Sequence, residues 1–323
     1  MKLGMFLDLR NPSRWRRPWA DHYKQTLDRV VWAEELGADS VWMTEHHFFD
    51  DGYLPQPLTL AAAIAAKTDR VRIGTAVLLA PHRHPVHIAE EAAIVDLVSN
   101  GRLELGLGAG WAPKEFETFG SDFDKRYAVT DSVFEQVRRL LSDGGAPPGP
   151  VQNPVPMWLG YQGPRGAERA GKLGAGLLSL NAELISPYRA GLIDGGHCEG
   201  TARLGGVMEI IVADDPDKVT RELIPYLAHQ VSTYQQGRGS AVGPEELTDE
   251  FSATLARTGS VPGLKVMTPD AAATEILTRT DGLPVEHVYL WSSLAGMPDH
   301  IVERHLELFF TTVKQLVTGA VRC

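Results

Sequence analysis

Apolar and polar positions along the chain fall into a repeating strand-then-helix rhythm. Lys2, Leu3, Gly4, Met5, Phe6 and Leu7 read as a buried strand, and residues 22–36 then place Leu27, Val30, Val31 and Ala33 on one helical face. Gly37 follows as a residue suited to ending that helix in the left-handed conformation. The pattern continues with a strand over 40–43, an Ala-rich helix over 58–67, a strand over 71–78, a helix over 85–98 and a strand over 103–107. Pro85 stands in a first helical turn, where its missing N–H costs nothing. Further strands are predicted over 156–160, 176–178, 206–213 and 288–291, with helices over 163–173, 186–193, 217–234 and 298–317. Eight such units predict a single domain over residues 1–323, a (β/α)8 TIM barrel with insertions, a fold that takes about 250 residues before insertions. The surplus falls in the loop after Leu7, in 143–156 and in 235–269. A doubly wound sheet is the rival architecture, but no Gly-x-Gly-x-x-Gly follows the first strand.

Composition narrows the class. At 43% hydrophobic and 22% charged the chain can build one large core. A net charge of −10 disfavours a nucleic-acid surface. Arg14, Arg16 and Arg17 form a local basic cluster, read as a solvated loop in preference to an anion contact. Cys198 and Cys323 make neither a disulfide framework nor a metal site. No apolar run reaches the roughly 18 residues of a membrane span, and the chain starts on a strand without a signal segment, so a cytoplasmic enzyme is expected.

A barrel does not specify chemistry, but it does specify where chemistry sits, at the C-terminal ends of the strands. The second strand ends in Glu45-His46-His47-Phe48, where ionisable groups follow an apolar run and so belong in a cleft and not in the core. Adjacent histidines do not suit a helical metal motif; they can serve proton transfer, hold a polar ring system, or merely cap a loop. Neighbouring side chains on a strand end point in opposite directions, so one of His46 and His47 is expected to be structural. The other strand ends deliver Phe6, Leu7 and Asp8; Thr75, Ala76 and Val77; Gly106, Gly108, Ala109, Gly110 and Trp111; Gly160, Tyr161 and Gln162; and Trp291. This mouth is apolar and aromatic, suited to a flat ligand, with no carboxylate pair for glycoside chemistry and no Ser-His-Asp set. The turn from Gly160 to Ala167 opens a helix, and free N–H groups at such a start, with Arg165 beside them, suit a phosphate. Together the two glycine-rich turns imply a phosphorylated, ring-bearing cofactor.

Several segments resemble the bacterial-luciferase-like monooxygenases. The opening Lys2-Leu3-Gly4-Met5-Phe6-Leu7, then Trp42 with Glu45-His46-His47-Phe48, and Gly74-Thr75-Ala76-Val77 look like that family's first three strands. Asn100-Gly101-Arg102 and Gly108-Ala109-Gly110-Trp111 with Glu115-Phe116 are similar to its fourth unit, and Ala213-Asp214-Asp215-Pro216 to its seventh turn. The resemblance covers nearly the whole chain and is weakest over 235–282. It implies a barrel that binds reduced FMN supplied by a separate flavin reductase, and a two-component monooxygenase acting through a flavin C4a-peroxide on a small organic substrate. It implies a homodimer as well, for which the stripe Ile88, Ala92 and Val95 is the expected contact. His46 matches the family's catalytic histidine, with Glu45 expected to tune it, and Ala76-Val77 matches a non-prolyl cis peptide against the flavin. The cofactor set implied is Phe6, Ala76, Val77, Gly108, Ala109, Gly110, Gly160, Tyr161, Gln162, Gly163 and Arg165. Three departures matter: Gly108 stands where the luciferases carry a reactive cysteine, and Ala109 and Tyr127 where they carry phosphate-contacting arginines. They shift the phosphate contact toward Gln162, Gly163 and Arg165. They also keep open a deazaflavin-coenzyme-dependent dehydrogenase or reductase, and a non-catalytic flavin-binding member is the third alternative.

Overall fold

A computed structural model describes residues 1–142, 145, 147–239 and 242–320. Strands Lys2–Phe6, Ser40–Met43, Arg72–Thr75, Leu103–Gly108, Met157–Leu159, Gly176–Leu178, Leu204–Met208 and Val285–Trp291 pair in that order, every pairing parallel. The ring closes where Lys2–Phe6 meets Val285–Trp291, Phe6 opposite Trp291. The eight-stranded barrel predicted from the apolar rhythm is therefore present, with helices packed around it. Inside, Trp42 stacks on Tyr289 at 4.9 Å and meets Trp158 edge-on at 6.2 Å. Phe6, Ala76, Val77 and Val207 pack on this layer from the mouth side.

Below the layer, buried polar groups tie the strands together. Glu104 accepts from the Trp158 indole at 2.7 Å and pairs with Arg72. Arg102 donates to the carbonyls of Ala65, Thr68, Val71 and Ser99, satisfying helix-end and loop oxygens that would otherwise be stranded at the barrel base.

Four sequence expectations need correction. The third strand breaks after Thr75 and resumes at Leu78–Leu79, with the Ala76–Val77 peptide cis as expected. The seventh divides at Glu209: Leu204–Met208 stays in the barrel, while Ile210–Val212 leaves to pair with Lys265–Met267. That pairing and helix Pro244–Thr258, which buries Leu247 and Phe251, lie in a stretch read as insertion because only one short stripe of it is apolar. The C-terminal helix 298–317 is three pieces, Asp299–Glu307, a π turn at Leu308–Val313 and Lys314–Ala320.

One surface reading changes too, and another is refined. Ile88, Ala92 and Val95 are buried by this chain's own core, so that stripe is not a free contact face. On the other side of the same helix, Pro85–Ser99, the side chains of Ile94, Leu97 and Val98 are exposed. The basic cluster is solvated as read, with Arg14 and Arg16 exposed, but it is also tethered: Arg17 donates to Asp299 at 2.8 Å and Arg16 to the Asn11 and Asp50 carbonyls at 3.2 Å. Cys198 is exposed, whereas Cys323 and parts of 143–156 and 235–269 lie outside the described residues.

Candidate active site

The second strand hands its chain to a loop whose backbone is locked on three sides. Glu45 N–H donates to Val77 O at 3.1 Å, His46 N–H to Leu54 O at 3.0 Å, and His47 N–H to Glu115 Oε1 at 2.7 Å. The two histidines then part. His46 faces a cavity of about 180 Å³ at the barrel mouth, and His47 a second one of about 390 Å³. The expected opposition of neighbouring side chains is thus what the fold contains.

Glu45 and His46 were expected to work together; both line the 180 Å³ cavity, but no hydrogen bond joins them among the described residues. Glu45, 1% exposed, is occupied by the His47 ring at 2.8 Å, the Arg83 guanidinium at 2.7 Å and the Leu79 N–H at 2.7 Å. The carboxylate on the His46 ring is Glu115, whose Oε1 lies 3.1 Å from Nδ1. A carboxylate accepts, so Nδ1 is the donor of that bond and Nε2 is the ring nitrogen left for another partner. Glu115 was not chosen from the sequence, although its signal is readable: Ala112, Glu115 and Phe116 form the buried face of the turn entering helix Pro113–Phe119. A carboxylate on an apolar stripe needs a partner.

Aromatic rings enclose His46: Phe49 at 5.0 Å, Tyr53 at 4.9 Å, Trp111 at 5.3 Å and Tyr234 at 6.0 Å. The Tyr53 and Tyr234 hydroxyls are 2.9 Å apart, and burial raises the pKa of both phenols. Arg10, paired with Asp8 at 2.6 Å, lies over both rings. These residues come from the first two loops, the loop after strand Leu103–Gly108 and helix Pro216–Gly237, too far apart in sequence for any spacing rule to join them.

Most of the expected cofactor set does converge. Val77, Gly108, Ala109, Gly110, Gly160, Tyr161 and Gln162 line the 180 Å³ cavity with His46. Val77 explains two glycines: a Cβ on Gly108 or Gly160 would stand 2.2 or 2.5 Å from its methyls. Gly163 opens helix Gly163–Lys172 at φ +70° with nothing within 4 Å of a Cβ position, leaving room above the helix start. Phe6 and Ala76, half-buried, pack on the aromatic layer with Val77 but do not line this cavity, and Arg165 is exposed on the first turn with no ion pair among the described residues. Tyr161 donates to Asp131 at 2.6 Å, so its ring and not its hydroxyl serves the cavity. An apolar ring-lined cavity ending at an open helix start fits a flat phosphorylated cofactor.

The luciferase-like monooxygenase family model matches residues 1–281, and the chain belongs to that family. The alkanal monooxygenase alpha chain of Photorhabdus luminescens is 33% identical over 144 residues, 45% of this chain and 39% of that one. The chain thus spans well under half of that relative. A protein of Kribbella flavida named F420-dependent glucose-6-phosphate dehydrogenase is 27% identical across 87% of this chain and 83% of its own length. Among solved structures, a monooxygenase from Streptomyces bottropensis superposes with TM-score 0.79 at 24% identity, covering 97% of this chain and 99% of that one. The FMN complex of the oxygenating constituent of 3,6-diketocamphane monooxygenase from Pseudomonas putida gives 0.68 at 19%, covering 98% of each. A protein solved with FMN and a protein named F420-dependent both stand among these relatives.

Glu45 yields a stability prediction. Burial works to raise its pKa, but the His47 hydrogen bond and the Arg83 charge outweigh it and hold the carboxyl below the ordinary glutamate value of 4.5. Its contribution is complete above that value and is lost as pH falls through the lower folded one. Glu45→Ala leaves buried His47 and the Leu79 N–H without their acceptor and takes the main partner from half-buried Arg83, which keeps Gln56, and should cost about 3–5 kcal/mol at neutral pH by urea denaturation. A loss below about 1 kcal/mol would show that the wall stands without it.

Proposed function

We propose that this chain is the oxygenase of a two-component, FMN-dependent monooxygenase, using reduced FMN delivered by a separate flavin reductase. The observation that carries the reading is a histidine whose Nδ1 is fixed by a buried carboxylate and which lines a cavity walled by aromatic rings. Bound reduced FMN would supply the electrons that activate O₂. The protein's own part is to shed water, hold the ring and move one proton. Val77, Gly108, Ala109 and Gly110 would take the ring, while Gln162, Gly163 and Arg165 would take the phosphate at the helix start. Phe6 and Ala76, packed on the same layer as Val77, would border that ring. His46 Nε2 would exchange the proton, with Glu115 stabilising the imidazolium; Glu45 is reassigned to positioning, through His47 and Arg83. A deazaflavin-dependent hydride transfer is the second reading, favoured by the long match to the Kribbella flavida protein.

His46→Ala should leave reduced-FMN affinity nearly unchanged and lower substrate oxidation by a factor on the order of 10²–10⁴. Hydrogen peroxide release should rise in step, and His47→Ala should do much less to coupling. The measurement is product formed per reduced FMN consumed; unchanged coupling in His46→Ala removes this histidine from the chemistry.

Arg165→Ala should weaken FMN binding about ten- to a hundredfold, since a charge-assisted hydrogen bond contributes roughly 1.5–3 kcal/mol. Riboflavin should bind parent and variant equally. An equal fall for riboflavin would move the phosphate elsewhere.

A homodimer belongs to this proposal, supported by the exposed side chains of Ile94, Leu97 and Val98. Light scattering at micromolar concentration should give twice the chain mass, and Leu97→Asp should halve it. A monomeric parent ends the expectation.

A further inference from the structure

Most charged groups around His46 are committed to one another: Arg10 to Asp8 at 2.6 Å, Arg83 to Glu45 at 2.7 Å, and Glu115 to the histidine itself. Arg238 is not. It is exposed, forms no ion pair among the described residues and lies over the Trp111 ring. Its place is fixed by the chain around it. Helix Pro216–Gly237 ends against Trp111, where a Cβ on Gly237 would stand 2.7 Å from the ring's Cη2, so a glycine is what lets the backbone come this close. The Arg238 N–H then donates to the Gln235 carbonyl at 3.0 Å, which caps the helix and sets the root of the arginine side chain. The Arg238 guanidinium and the His46 ring each lie 5.3 Å from the Trp111 ring centroid. Trp111 and His46 line the same 180 Å³ cavity, so a molecule held against this indole is on the cofactor's side of the second-strand loop.

We propose that Arg238 determines specificity by binding the carboxylate of a substrate whose aromatic body lies against Trp111 and the rings around His46. The proposal rests on the reading of the 180 Å³ cavity as the cofactor site. Phe49, Tyr53, Trp111 and Tyr234 make the surroundings of His46 a place for a flat apolar body, which gains from edge and face contacts with them. Such a body needs a polar handle to fix which end meets the cofactor. Arginine's fork matches a carboxylate at two points, and stacking on an indole holds the fork in place while its N–H edge stays open. With a net charge of −10 the chain repels acids over most of its surface, so a local cation at the mouth decides whether one binds. Arg126 is the poorer candidate. It lies over Tyr127, which is not among the rings around His46, and its Nη1 already donates to the Phe123 carbonyl at 2.7 Å. Arg165, at the start of helix Gly163–Lys172, belongs with the phosphate.

The test is calorimetric titration of the full chain, loaded with FMN at neutral pH, with 3-phenylpropanoate, 3-phenylpropanamide and 3-phenylpropylamine. The acid should bind at least about tenfold more tightly than the amide, and the amine more weakly than either. Arg238→Gln, at an exposed position, should erase the advantage of the acid while leaving amide affinity within about twofold. Arg238→Lys should keep part of that advantage, since the charge survives and the fork does not. A parent that binds the acid no better than the amide overturns the proposal. So does an Arg238→Gln protein that keeps the preference, or a preference lost in Arg126→Gln instead. A fall in FMN affinity but not riboflavin affinity in Arg238→Gln would assign the guanidinium to the cofactor phosphate and overturn it as well. FMN titration of the parent is separate. Failure there ends the cofactor reading, and the same three probes on the flavin-free chain still decide whether Arg238 selects an acid.

Discussion

Two buried carboxylates hold the candidate site together, and each is committed before any ligand arrives. Glu45 clamps His47, Arg83 and the Leu79 N–H; Glu115 clamps the His46 ring and the His47 N–H. Burying a carboxylate is costly unless donors meet it, and here the donors are the histidines and backbone groups whose positions matter. The desolvation penalty therefore makes any other arrangement of the second-strand loop expensive. Exchanging the clamps would need both histidine rings to rotate through packed aromatic neighbours.

This explains how much of the protein was legible in its residues. Strands with both faces buried must be apolar runs, and the eight barrel strands were readable for that reason; Ser40–Met43 and Gly176–Leu178 fall where the runs predict. Glycine-rich strand ends were equally plain, because Val77 crowds Gly108 and Gly160. The pairing of carboxylates with histidines was not. Glu45 is adjacent to His46 in the chain yet bonds to His47, while Glu115, nearly seventy residues on, reaches His46. Sequence adjacency on a strand end sends side chains apart, so it argues against contact.

The stretch 235–269 was opaque for another reason. Its helix Pro244–Thr258 buries only Leu247 and Phe251, and its strand Lys265–Met267 finds its partner in residues that leave the barrel at Glu209. Short elements that borrow their partner from a broken barrel strand carry no periodic signal of their own. The π turn at Leu308–Val313 is similar: its apolar residues continue a helical pattern, and only the backbone registers the change.

The partition between the two cavities has a thermodynamic consequence. His46 faces one side, Glu115 lines the other, and one hydrogen bond joins them. A molecule that changes the charge or hydrogen bonding of Glu115 from its side changes the basicity of His46 on the other. Binding equilibria that share a group in this way are linked reciprocally, each altering the other's affinity by the same factor. Any coupling between occupants of the two cavities would then pass through a single carboxylate, and the barrel would need no moving part to transmit it.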